Sequence, residues 1–447
     1  MTYHAVNNGK EEDYSATHKT KPENLVNEIK MNRNLVVLII VLILIVALAF
    51  TVYLQYSKVH QNNNHLPEEP VLNINTNLGY ETIQAAIDAP ETLDGHTIFV
   101  KSGVYYEHVV LNKSISLIGE DRTDTTIIGN GTGIGILVNA NSVTVKGFTV
   151  KNCSTGIRVV SVNNSAIMEN IVIFNRNAIL VDYSSNCKIY QNIAGNNTER
   201  GILVTGSQNF TISRNDVYDN GMYGLNANFS ANGIIKQNFA YENYYDGIGL
   251  LDSNNCTVIG NTLKKNQLYG ILASSSSYCR IYHNNIIQNG IQASDLNATN
   301  QWDNGVEGNY WSSYTGTDTN NDGIGDTAYV ISDLNRDNYP LMGMFHSYNV
   351  TESYYVNVVS NSTIESFEFF ASNNTIRMYV SNLTSIQSFG FCRIAIPKAL
   401  MSPLYTVVID DGLTEVLNFN ATVHDDDIYR WIYFVYQHST RKVVITS

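Results

Sequence analysis

The chain has 447 residues with 40 acidic and 27 basic side chains, a net charge of −13. That length exceeds one ordinary domain, and the acidic surplus argues against nucleic acid or any other bare polyanion as a partner. Five cysteines stand at no zinc-ligand spacing, and nothing in the composition implies an organic cofactor.

Residues 1–34 are polar and carry five basic and five acidic residues, so the excess charge falls on the rest of the chain. Leu35 to Leu54 is then a run of 20 uncharged residues, apolar but for Thr51. A run of that length spans a bilayer as a helix, and residues 35–56 are read as a transmembrane segment. Lys30 and Arg33 flank it on one side, while Glu68 and Glu69 follow on the other. The positive-inside rule puts the tail in the cytoplasm and the bulk of the chain outside, as a single-pass cell-membrane protein. Sequons at Asn112, Asn130, Asn228, Asn297, Asn361 and Asn382, with none before the apolar run, agree with an exported glycoprotein. A cleaved signal peptide ending at Ala47–Leu48–Ala49 is the alternative. Residues 57–72 read as a linker.

From residue 142 to 290 the chain repeats. Asn170, Asn192, Asn215, Asn238, Asn261 and Asn284 recur every 22 or 23 residues, and so does a series from Asn152 through Asn175, Asn197, Asn220, Asn243 and Asn266 to Asn289. Ile189, Ile212, Ile235, Val258 and Ile281 form an apolar column at the same step. Ile202, Leu225, Ile248 and Ile271 form a second, and Ala194, Val217, Ala240, Leu263 and Ile286 a third. A fixed period with strand-like alternation inside it means stacked coils that bury their faces only against each other. The predicted fold is all-β, a parallel β-helix over residues 73–345, with Asn side chains laddering from coil to coil at about 4.8 Å. Cys187, Cys256 and Cys279 share one inward column, as stacked thiols or as a disulfide between the last two.

The segment Gly79 to Ala89, with the stretch through Gly103, Val104, Tyr105 and Glu107 to Glu120, resembles the opening of pectin-lyase-like right-handed β-helix proteins. There a short amphipathic helix caps the first coil. The repeats resemble the NosD-like family of carbohydrate-binding and sugar-hydrolysis β-helices, and Asn309 to Met342 is similar to the closing segment of NosD-like surface proteins. The resemblance implies a membrane-anchored surface protein, of archaeal type, that meets an extracellular polysaccharide or cell-envelope glycan. It does not carry copper handling over, because His96, His108 and His283 are scattered.

Residues 291–345 hold the closing loop. Asp318, Asn320, Asp322 and Asp326, with Gly323, space their oxygens as calcium loops do, although Tyr329 stands where an EF-hand has its Glu. The rival reading is an Asp/Gly turn without an ion. Residues 346–447 alternate over several short strands and read as a β-sandwich. Trp431, Tyr433, Phe434 and Tyr436 there would be a sugar-stacking platform or simply core.

Chemistry would sit on two outward columns. Arg200, Tyr223, Asp246 and Tyr269 form one, and Asp219, Glu242 and Lys265 the other. Asp219, Glu242 and Asp246 are the candidate acids of a glycoside hydrolase or polysaccharide lyase. Arg200, Tyr223, Tyr269 and Lys265 are the candidate ligand contacts. The bland alternative is a solvated face with Lys265 balancing the acids. No polygalacturonase motif is present. The expected function is a non-catalytic glycan-binding or envelope protein. Alternatives are a polysaccharide-cleaving enzyme and an adhesin acting through the C-terminal domain.

Overall fold

The computed structural model describes residues 69–383, 387–410, 414–416, 423–437 and 439–447. The expected cytoplasmic tail, the membrane segment 35–56 and nearly all of the linker lie outside the described residues. Among the described residues no helix is long and apolar enough to cross a membrane.

Short strands stack into three sheets of 11, 10 and 9 strands, a β-solenoid of the right-handed type, parallel throughout except that Val71–Asn73 pairs antiparallel with Leu78–Tyr80 and Thr97–Val100 at the start of the first sheet. Its entrance is the helix Ile83–Asp88, which buries Ile83, Ala86 and Ile87 over the first coil. Thr82 caps this helix through its side chain, accepting from Ala85 N. Glu107, part of the opening motif, accepts from the Ile83 and Gln84 N–H groups at 3.0 Å each, satisfying donors that a helix start leaves free.

The apolar columns follow the sequence period. Ile189 pairs in register with Ile212, Ile212 with Ile235, Ile235 with Val258 and Val258 with Ile281. The Ile202 and Ala194 columns stack likewise, and all are buried. The cysteine column is also present: Cys187, Cys256 and Cys279 are buried free thiols. Between Cys187 and Cys256 that column holds Phe210 and Gly233. The Phe210 ring lies where a Cβ on Gly233 would be, only 2.0 Å away, so a side chain there has no room.

Two buried asparagine ladders run along the corners. Asn238 is typical: its Oδ1 accepts from the N–H and the Nδ2 of Asn215, and its Nδ2 donates to Ile212 O and to Asn261 Oδ1, all within 2.9–3.0 Å. The second ladder runs from Asn175 to Asn289. It does not begin at Asn152, as the period suggested. Coils here are 22 residues long, so the ladder position falls on Cys153, whose N–H donates to Asn175 Oδ1, and Asn152 is displaced into a left-handed turn at φ 59°. A serine ladder, Ser184 to Ser276, holds the third corner.

At the far end Asn309 is the last rung of the first ladder, and buried Asp337 closes it by accepting from Asn309 N and Trp311 Nε1. Beyond Met344 come two five-stranded antiparallel sheets. The first is ordered Met344–Asn349, Tyr355–Ser360, Phe389–Pro397, Tyr429–Gln437 and His424–Asp425. The second is Thr363–Phe370, Thr375–Ser381, Arg441–Thr446, Thr406–Asp410 and Thr414–Val416. Val358, Ile394 and Ile432 of one and Ile376, Val407 and Val443 of the other share one buried cluster.

One buried carboxylate joins these sheets to the solenoid. Glu307 accepts from Arg393 Nε at 2.7 Å and Trp431 Nε1 at 2.9 Å, and its other oxygen meets His283 Nε2 at 3.0 Å. Trp431 is thus spent on the junction, and Phe434 and Tyr436 are core. Burial alone would raise the Glu307 carboxyl, but His283 and Arg393 outweigh it and bring it down to about 2.

Asn238→Ala strands four hydrogen-bonding groups of neighbouring coils and should cost about 3 kcal/mol in urea unfolding, whereas exposed Lys188→Ala should stay within about 0.5 kcal/mol. Glu307→Ala leaves Arg393 buried and unpaired, and should cost about 3–5 kcal/mol. Because the folded carboxyl titrates below its ordinary 4.5, the wild-type contribution should be full above that pH and be lost as pH falls toward about 2. Melting curves through that window should converge for wild type and Glu307→Gln at the acid end.

Candidate functional site

The outward columns are real neighbours. Gly201 N donates to Tyr223 O, Gly224 N to Asp246 O and Gly247 N to Tyr269 O, at 2.8–2.9 Å, so Arg200, Tyr223, Asp246 and Tyr269 follow one another coil by coil. Asp219, Glu242 and Lys265 stack in the same way and all have left-handed φ near 50°. The buried Asn220–Asn243–Asn266 ladder lies between the two columns, so they occupy two sides of one corner.

Within them the residues have different fates. Lys265 approaches Glu242 at 3.7 Å, with both side chains about half exposed. Such a pair contributes little and is the charge balance of a solvated face. Arg200 is engaged by Glu199 at 2.8 Å and by Asn177. Asp246 departs from the outward position expected of it. It is buried, with only 1 % of its surface exposed, and neither carboxylate oxygen has a hydrogen-bond partner among the described residues. Burial pushes its carboxyl up to about 7, against a weaker pull from the nearby Tyr269 N–H. An unpartnered carboxyl that keeps its proton near neutrality is the kind of group catalytic acids are made of. Tyr223 and Tyr245, with ring centroids 5.3 Å apart, sit beside it, and the Tyr223 phenol is raised by burial and then by the Asp246 charge.

Sequence reasoning passed over the outer face of the ten-stranded sheet, between these corners. Asp216–Tyr218 pairs with Phe239–Tyr241, and these with Thr262–Lys264, in exact register. Alternation puts Asp216, Tyr218, Phe239 and Tyr241 outward. Tyr218 stacks on Tyr241 at 5.2 Å and Phe239 on Tyr241 at 4.3 Å. The Tyr218 ring also covers Gly195 of the preceding coil, lying 2.6 Å from where a Cβ would stand. Burial and then Asp216 lead the causes that push the Tyr241 phenol up to about 12. The signal was available: Tyr218 follows the inward Val217, and Phe239 and Tyr241 flank the inward Ala240. It was masked because those positions read as ordinary strand alternation.

The Asp-rich loop closes on its own donors. Asp318 accepts from Asp322 N and Gly323 N, Asp322 from Ile324 N, and Asp326 from Thr317 and Thr319, while Asn320 Nδ2 donates to Asp322. Among the described residues no three His, Cys, Asp or Glu side chains converge as a metal shell. Asn335 and Asp337 serve the ends of ladders.

The profile of one family, described as periplasmic copper-binding protein (NosD), matches residues 91–316, half of the chain. The chain belongs to the NosD family. Among the described residues His283 is committed to Glu307, His96 to Asn73 and His108 to Ile134 O. A cell surface glycoprotein of Methanothermus fervidus is 32% identical over 102 residues, 23% of this chain and 17% of that protein. The chain therefore spans about a sixth of the length of that relative. The A-module of the Azotobacter vinelandii mannuronan C-5 epimerase AlgE4 has a TM-score of 0.36 at 16% identity, over 56% of this chain and 89% of that one. The periplasmic alginate epimerase AlgG has a TM-score of 0.29 at 14% identity, over 46% and 73%.

Because Asp246 titrates above its ordinary 3.8, folding pays for its ionisation as pH rises from about 4 to about 7. Asp246→Asn should therefore match wild type in melting temperature at pH 4 and exceed it at pH 8. A difference that is constant across that range would remove the buried titration.

Proposed function

We propose that this protein is a cell-surface β-solenoid that binds glycan along the outer face of its ten-stranded sheet. The observation that carries the reading is the stacked Tyr218, Tyr241 and Phe239 platform beside half-buried Asp216. Aromatic faces stack on the apolar side of a sugar ring, and a neighbouring carboxylate accepts from its hydroxyls. Surface location is supported by the partial similarity to a cell surface glycoprotein. In this reading the apolar run from Leu35 is the membrane anchor, and residues 346–447 form a β-sandwich fixed to the solenoid by Glu307. Calcium at Asp318, Asn320, Asp322 and Asp326 belongs to the proposal as an ion that would replace the loop's own N–H donors.

A second reading, a glycan-cleaving enzyme, is favoured by Asp246 alone, a buried carboxyl held protonated near neutrality. Glu242 is its weakest member as a partner, since it is exposed and faces Lys265.

The test uses the full-length protein in detergent against neutral and acidic polysaccharides, with calcium and with chelator, scoring both binding and new chain ends. Binding without new ends is expected, weakened by about 1 kcal/mol in Tyr241→Ala. New ends that vanish in Asp246→Asn would replace the first reading by the second. Equal binding and melting with and without calcium would remove the ion.

A further inference from the structure

A cleft of about 870 Å³ opens where the outer face of the ten-stranded sheet meets the C-terminal sheets. Its solenoid wall carries Arg214, Lys236 and Phe239, and its other wall carries His346, Tyr355 and Tyr429. The walls are held together by paired bonds between Asn285 and the Phe345 backbone, at 2.7 and 2.9 Å, and by the stacking of His283 on Phe345 at 4.0 Å. The cleft is therefore a built feature of the junction, continuous with the platform through Phe239.

Three observations bear on what fits it. The chain carries 40 acidic residues, yet none of the residues lining the cleft is an Asp or Glu. Among the described residues its two cations have no carboxylate partner. The Lys236 side chain makes no hydrogen bond or ion pair with any described residue, and Arg214 is steered by neutral groups, Gln237 Oε1 at 3.1 Å and the Tyr190 hydroxyl at 3.2 Å. On the opposite wall the buried Nε2 of His346 has no hydrogen-bond partner among the described residues. Unpaired cations facing aromatic rings and an unsatisfied imidazole nitrogen make a pocket for a ring that carries both an anion and hydroxyls.

We infer that this junction cleft binds a single acidic sugar residue, its anionic group held by Arg214 and Lys236, its ring by Phe239, Tyr355 and Tyr429, and a hydroxyl by His346. The rest of the surface carries the acidic excess and repels a continuous polyanion, so the fitting ligand is a mainly neutral glycan with an isolated acidic unit. This rests on the glycan-binding reading above and names the substrate class. Burial pushes the His346 imidazole down to about 4, so at neutral pH it meets the hydroxyl uncharged.

The test is titration calorimetry on the full-length protein in detergent. The probes are a neutral oligosaccharide bearing one glucuronate, its carboxyl-reduced form, a sulfated counterpart and a continuous polyuronate. The glucuronate form should bind at least about tenfold more tightly than the reduced form and the polyuronate, with the advantage shrinking as salt rises. Tighter binding of the sulfated form would keep the site and change the anion to sulfate. Lys236→Glu, at an exposed position, should erase the advantage. Equal binding of the charged and reduced forms, or an advantage that survives Lys236→Glu, would overturn the inference and leave glycan binding standing. No binding of any probe would overturn both.

Discussion

The buried asparagine amide is the interaction on which the rest of this molecule depends. A solenoid corner must turn the backbone sharply, which leaves peptide groups without strand partners inside the protein. Each ladder Asn answers this locally, bonding a carbonyl of the coil before it and accepting from the N–H and amide of the same coil. An amide is the one short side chain with both strong donors and a strong acceptor, so identical residues can satisfy each other indefinitely along the stack. The residue before each rung of the first ladder from Asn170 to Asn284, such as Arg214, Gln237 and Gly260, takes a left-handed φ to make the turn. The requirement thereby also places side chains: the columns flanking the ladders are forced outward, and Arg214 and Glu242 both occupy such positions.

This constraint explains how a repetitive scaffold offers a distinct site. Inward positions are bound to the core and corner positions to the ladders, leaving only outward strand residues free to vary. Between the two corners of the ten-stranded sheet that freedom is used for Asp216, Tyr218, Phe239 and Tyr241. Ladder and platform are independent in composition yet coupled in geometry, because the coil spacing that satisfies the amides also sets the distance between stacked rings.

The closing segment turns an open stack into a finite object and creates the second surface. Asp337 stops the first ladder by accepting from Asn309 N, and Glu307 then draws Arg393 and Trp431 against the end coils. A buried charge with three partners fixes orientation more strictly than apolar contact does. The cleft beside it has walls from segments more than a hundred residues apart, so its composition reflects both.

The amino-acid sequence by itself determined the solenoid, its coil length, its inward columns and its ladders, because a fixed period repeats one local solution and each coil meets only its neighbours. Its single misjudged rung, Asn152, lies where a 22-residue coil puts Cys153 in the ladder. The sequence also placed Arg200, Tyr223, Asp246 and Tyr269 in one column. Only the tertiary structure decided that Asp246 is buried without a partner while Glu242 stays in solvent, since burial depends on how loops and rings of adjacent coils close over a position. It likewise decided that Trp431 belongs to Glu307, and that Arg214 and Lys236 face Tyr355 and Tyr429. Those contacts join segments with no shared period, and no pattern along the chain records a distance between them.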